Sequence, residues 1–164
     1  MTKKSIGVII FFNLFLFLPC KGIAGDKATP EDVYRLVMNA HTVLTQLGDE
    51  ALPAFNDPKG EFVFKDTYVF VQQCPKTMAA HPFAMEKLRG KDLSKITPII
   101  NKKMCDAAKN PNGEWIEYKW PKPGEENPVR KISFILPVEG TPYMVAAGIY
   151  NETVSLESLQ KVKK

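Results

Sequence analysis

Residues 62–73 read FVFKDTYVFVQQ, and this stretch decides the fold. Eight of its twelve residues are aromatic or β-branched, and neither glycine nor proline interrupts them. Such a run fits a pleated strand and fits a helix poorly. The residues before it follow a different rule. In TPEDVYRLVMNAHTVLTQLG, residues 29–48, the apolar positions Val33, Leu36, Val37, Ala40, Leu44 and Leu47 recur at steps of three and four. That spacing predicts one apolar helix face. Thr29 suits the N-cap, Pro30 the first turn, and Glu31 and Asp32 the positive end of the helix dipole. Gly48 ends or kinks the helix. The chain therefore changes from a helical to a strand period between residues 48 and 62, with a short helix (DEALPAF) and a turn (NDPKG) between.

The period stays short afterwards. Cys74-Pro75-Lys76-Thr77 is expected to tip a hairpin, and MAAHPF, residues 78–83, to return as its second arm. Residues 84–96 show little periodicity and are expected to form a surface connection. A helix is predicted from Thr97-Pro98 to about Lys109. EWIEYKW, VRKISFILPV and YMVAAGIY supply three further strands. Consecutive strands joined by short turns make an antiparallel sheet. With the long helix on one face, the expectation is an α+β domain of about five strands. The other face is free to hold a small ligand.

The N-terminus is set apart. Lys3 and Lys4 precede IGVIIFFNLFLFL, 13 residues from Ile6 to Leu18. This is shorter than the ~20 needed to span a bilayer and has the pattern of a secretory signal. Gly22 and Ala24 place the cleavage after Ala24. A retained membrane anchor is the lesser alternative, and Pro19 beside Cys20 argues against a lipoprotein site. The expected organisation is a signal peptide over 1–24, one domain over 25–151 and a polar tail over 152–164. The mature chain has no membrane span and is periplasmic or secreted. Removing Lys3, Lys4 and Lys21 leaves 19 basic residues against 18 acidic ones, so nothing in the charge points to nucleic acid. Cys74 and Cys105 remain, 31 residues apart. In an oxidising compartment they most simply form one disulfide, with two buried thiols as the other reading. No third or fourth ligand stands at a metal-site spacing.

The sequence also carries a family pattern. ALPAFNDPKGEFVFKDTYVFV, AAHPFAMEKLRGKDLS, GEWIEYKWPKP, RKISFI and MVAAGIY occur in one order and cover nearly all of residues 30–151. Together they resemble a single Cache domain, an extracellular sensor module with a PAS-like sheet. Cys74-Pro75-Lys76 departs from the acidic, glycine-containing turn common in the family. No apolar span or signalling module follows the domain, so the chain looks like a free-standing exported form. The resemblance implies a bound short carboxylate or amino acid, no cofactor and no catalysis. A membrane receptor is a possible partner. The alternative is an interaction protein that keeps the fold without a ligand.

Strand alternation then selects ligand-binding candidates. Tyr68 can offer a hydroxyl, while Trp115 and Tyr118 can line or lid the pocket. Lys131 sits in an otherwise apolar strand, where a solvated lysine is unexpected, and Ser133 shares its face. His81, before Pro82, falls at the pocket rim, where it either bonds the acid or pins the turn through backbone groups. Cys74 and His81 lack the orienting acid and oxyanion loop that a nucleophilic pair requires.

Overall fold

Thr29 starts the first helix, α1 (Pro30–Leu47), through a reciprocal cap. Its hydroxyl accepts from Asp32 N at 3.1 Å, and the Asp32 carboxylate accepts from Thr29 N at 3.0 Å. Two orphan donors of the first turn are thereby satisfied. Arg35 and Lys65 also reach Asp32, and the bonds from Lys65 and from Thr29 hold its carboxyl below the usual carboxylate range. Two short 3-10 turns follow, Gly48–Ala51 and Ala54–Asn56. The computed structural model describes residues 27–162, so the expected leader lies outside them.

The strands are β1 (Val63–Phe64), β2 (Thr67–Gln73), β3 (Thr77–Ala80), β4 (Glu114–Pro121), β5 (Pro128–Pro137) and β6 (Tyr143–Tyr150). They form one antiparallel sheet in the order β1-β2-β6-β5-β4, with β3 also paired to β2. The stretch 62–73 makes two strands instead of one. Lys65 adopts a left-handed φ of 53°, which breaks the extended run and turns β1 back onto β2. This adds a sixth strand to the expected five. The non-local pairing of β2 with β6, Phe70 opposite Ala146 and Val71 opposite Val145, closes the sheet.

Each face of the sheet carries its own core. Val69, Val71, Phe134 and Val145 meet Val33, Val37 and Leu44 of α1. Tyr68, Phe70, Tyr118 and Ile135 face the other way, beneath the segment after β3. That segment holds α2 (Met85–Leu88), α3 (Leu93–Ile96) and α4 (Pro98–Ala107). Residues 84–96 are therefore more than a surface connection. Leu88 and Leu93 are buried, one in each single-turn helix, and one turn is too short to show a period. The tail is also tied down. Ser155 caps α5 (Leu156–Leu159), and Leu159 joins the core under α1. Arg130 donates to the carbonyls of Asn151 at 2.7 Å and Val154 at 2.9 Å. No helix among the described residues is long and apolar enough to cross a membrane.

Cys74 and Cys105 are bonded, with Cα atoms 5.7 Å apart. The bridge ties the β2–β3 tip to α4, and Asn101 Nδ2 donates to Pro75 O at 2.7 Å beside it. A loop of this length predicts that the double change to serine lowers unfolding free energy by ~3–4 kcal/mol. Urea unfolding of both forms measures this, and an unchanged midpoint would show that the bridge adds nothing.

Candidate functional site

The space between the sheet and α3–α4 is a small cavity of about 20 Å³, room for a water-sized group. Phe70, Gln72, Tyr118 and Lys131 form its floor, while Ile100, Asn101 and Met104 form its roof. Among the described residues, no aspartate or glutamate lines it.

Lys131 is the dominant feature. Its pairing with Tyr118 and Tyr150 across β4 and β6 puts it in the sheet interior, and the side chain is fully buried. Nζ lies 3.9 Å from the centre of the Tyr68 ring, 5.1 Å from Tyr150 and 5.3 Å from Phe70. Ring faces offset part of the cost of enclosing an ammonium. Among the described residues, Nζ has no hydrogen-bond partner. Burial pulls its pKa from 10.5 down to about 7, because water no longer solvates the charge. A donor group without acceptors, beside a cavity without carboxylates, has the chemistry to hold an anion.

The tyrosines are committed elsewhere. Tyr150 donates to Pro121 O at 2.8 Å. The hydroxyl pair of Tyr68 and Tyr150, 3.1 Å apart, therefore uses the Tyr68 proton. Tyr68 then offers its ring to Lys131 and no free hydroxyl to a ligand, contrary to the sequence expectation. Tyr118 and Ser133 bond each other at 2.9 Å, so Ser133 positions Tyr118 at the cavity wall. Burial raises the pKa of all three tyrosines.

His81 pins the turn. Its Nδ1 accepts from Phe83 N and Ala84 N, both at 3.1 Å. A ring nitrogen accepting two amide protons carries none of its own, so the proton sits on Nε2. Burial and the nearby charge of Lys131 push the imidazole pKa down to about 3, and the ring lines the cavity as a neutral group. His81→Ala leaves two amides unpaired and is expected to cost about 1–3 kcal/mol. His81→Asn, with an acceptor oxygen in a similar place, is expected to recover most of it. Equal denaturation midpoints for the two variants would refute the acceptor role.

Trp115 is not brought to this site. Strand alternation turns it to the opposite face, where it packs on Phe134 with ring centres 5.3 Å apart, in the core beneath α1. Trp120, on the other face of the same strand, lines the cavity instead. Gln72 and Asn101 were missed. Gln72 continues the row Tyr68, Phe70 at every second residue, and Asn101 lies one helical turn before Cys105. Both positions were readable signals.

Lys131, His81, Tyr118, Gln72 and Asn101 line one small cavity on the sheet. Such an arrangement defines an α+β domain with a lysine-bearing cavity on one face of its sheet. A family model described as a Cache domain matches residues 42–155. The chain belongs to the Cache domain family. It is 28% identical over 102 residues to the methyl-accepting chemotaxis protein McpP of Pseudomonas putida, a stretch covering 60% of this chain and 19% of that protein. It thus spans about a fifth of that relative's length. Among solved structures, it superposes on a Cache chemosensory domain whose carboxylic acid recognition has been described. The TM-score is 0.61 at 24% identity, covering 74% of this chain and 92% of that one. It also superposes on the periplasmic sensor domain of a chemotaxis protein, with TM-score 0.57 and 25% identity over 75% of this chain and 90% of that one. The fold is that of the sensor domains of chemotaxis receptors.

Proposed function

We propose that this domain is an exported binding module for a short monocarboxylate, with Lys131 as the anchor for the acid group. The carrying observation is the enclosed Lys131 Nζ, which has no acceptor among the described residues and faces a cavity without acidic side chains. A carboxylate supplies the missing acceptors and the countercharge together. An α-amino acid fits less well, because no lining carboxylate meets its ammonium. A dicarboxylate also fits less well, because His81 is neutral and leaves one lining cation, Lys131. The carboxylic acid recognition described for a structural neighbour supports the same class. A cavity of about 20 Å³ admits even a two-carbon acid only if side chains move. Met78 and Met104 in the lining are unbranched and adaptable. His81, Tyr118 and Ser133 keep the wall in place.

The leader expected over residues 1–24 supports export, as do the disulfide and the periplasmic placement of a related sensor domain. Delivery of the acid to a membrane receptor is the partner role this reading implies. Calorimetric titration with acetate, propionate and butyrate at pH 6 tests it. Saturable binding that persists in Lys119→Ala, whose side chain is exposed, and vanishes in Lys131→Ala is expected. Absence of binding to every acid would leave the interaction-protein reading in its place.

A further inference from the structure

One backbone carbonyl and two side-chain amides beside the hairpin tip orient one another. Pro75 O can only accept, so the Asn101 amide presents Nδ2 to it, at 2.7 Å. Asn101 Oδ1 is thereby turned to Gln72 and receives Gln72 Nε2 at 2.7 Å. Gln72 Nε2 also lies 3.4 Å from Cys105 Sγ. This relay of one carbonyl and two amides fixes which atom of Gln72 remains, namely Oε1, an acceptor. No described residue donates to it. The enclosed side-chain N and O atoms without partners are Trp115 Nε1 and Lys131 Nζ. Gln72 is 1% exposed and lines the cavity, so Oε1 is left to face that cavity once Nε2 is held by Asn101. The Cys74–Cys105 bridge joins the two elements that carry the pair, which keeps the acceptor in place.

We infer that Gln72 is a specificity-determining residue that reads a hydroxyl on the ligand, two or three carbons beyond the carboxyl carbon. The inference rests on Lys131 as the carboxylate anchor. Lys131 Nζ sits over Tyr68 and Phe70, and Gln72 is the next residue on that face of β2. Same-face neighbours along a strand are roughly 6.4–6.8 Å apart. The hydroxyl of a 2-hydroxy acid stays beside the carboxylate and does not cross that interval, whereas a 3- or 4-hydroxyl does. Phe70, Met78 and Met104 give the intervening carbons an apolar passage. An ammonium at the same place has three donors for one neutral acceptor, so a hydroxyl is the better match.

The test is calorimetric titration of the exported protein with butyrate, 3-hydroxybutyrate, 4-hydroxybutyrate and 4-aminobutyrate at pH 6. At least one of the two hydroxy acids is expected to bind about tenfold tighter than butyrate, the effect of one hydrogen bond. In Gln72→Met the ratio of hydroxy acid to butyrate affinity should fall to about one, because methionine offers the hydroxyl no comparable acceptor. Butyrate binding as tightly as both hydroxy acids in the wild type would overturn the inference, as would tighter binding of the amino acid. Neither result depends on the variant folding. Survival of the hydroxyl preference in Gln72→Met would overturn it too. Lys131→Met reports on the anchor separately. If butyrate binding survives there, the anchor reading fails, whatever the hydroxyl ratio. If the wild type binds none of the acids, both readings fall.

Discussion

Lys131→Met is expected to abolish acid binding and, at the same pH, to make the free protein more stable. The sign follows from the two pKa values. Lys131 titrates near 10.5 when unfolded and at about 7 in the fold. Below pH 7 both states carry the proton, and the fold bears the full cost of an enclosed ammonium. Between about 7 and 10.5 the unfolded state binds more protons, so wild-type stability rises with pH across that window. Above it the cost is gone. Methionine has a similar shape and no charge, so its advantage is largest below pH 7, on the order of 1–4 kcal/mol, and fades towards pH 10. Melting curves of both proteins from pH 5 to 10 measure it. A methionine variant less stable at pH 6, or an advantage independent of pH, would contradict the buried-charge account. Acid affinity in the wild type carries the same signature. Binding requires the ammonium, so affinity is expected to hold below pH 7 and fall about tenfold per pH unit well above it.

Gly148→Ala is expected to be among the most damaging single changes in the sheet. A Cβ at this position would stand 2.5 Å from Ile132 O and collide with Ser133 Oγ. The first is backbone inside the β5–β6 ladder and cannot rotate away. The second is the group that holds Tyr118 at the cavity wall. A loss of about 3 kcal/mol or more, at the upper end of overpacking costs, is expected from chemical denaturation. Gly140→Ala is the control. It has open space around it and a φ of 72°, so its cost is the left-handed backbone alone, roughly 1–2 kcal/mol. Equal losses in the two variants would show that close approach at Gly148 is not the cause.

Legibility differed by element. The helix Pro30–Leu47 was readable because cap, proline and apolar spacing all agree along five turns. The strands of residues 114–150 were readable because their composition admits little else. The break at Lys65 was not, since a single left-handed lysine leaves no pattern in a β-rich run. The single-turn helices Met85–Leu88 and Leu93–Ile96 were not, because neither is long enough to repeat. In the site, Lys131 stood out as a charge in an apolar strand. Trp115 was misplaced because both faces of its strand are part apolar, Trp115 sharing its own with Glu117 and Lys119, and alternation names two sets of residues without saying which looks inward.

Local periodicity, cap chemistry and turn residues therefore carried the order of helices and strands, since those forces act within a few residues of each other. The pairing of β2 with β6 and the side on which α1 packs are choices between distant segments. So are the commitment of the Tyr68 hydroxyl to Tyr150 and the amide relay from Pro75 through Asn101 to Gln72. Each depends on groups dozens of residues apart meeting at hydrogen-bond distance. The tertiary structure alone supplies that distance, and with it the enclosed lysine and the cavity it faces.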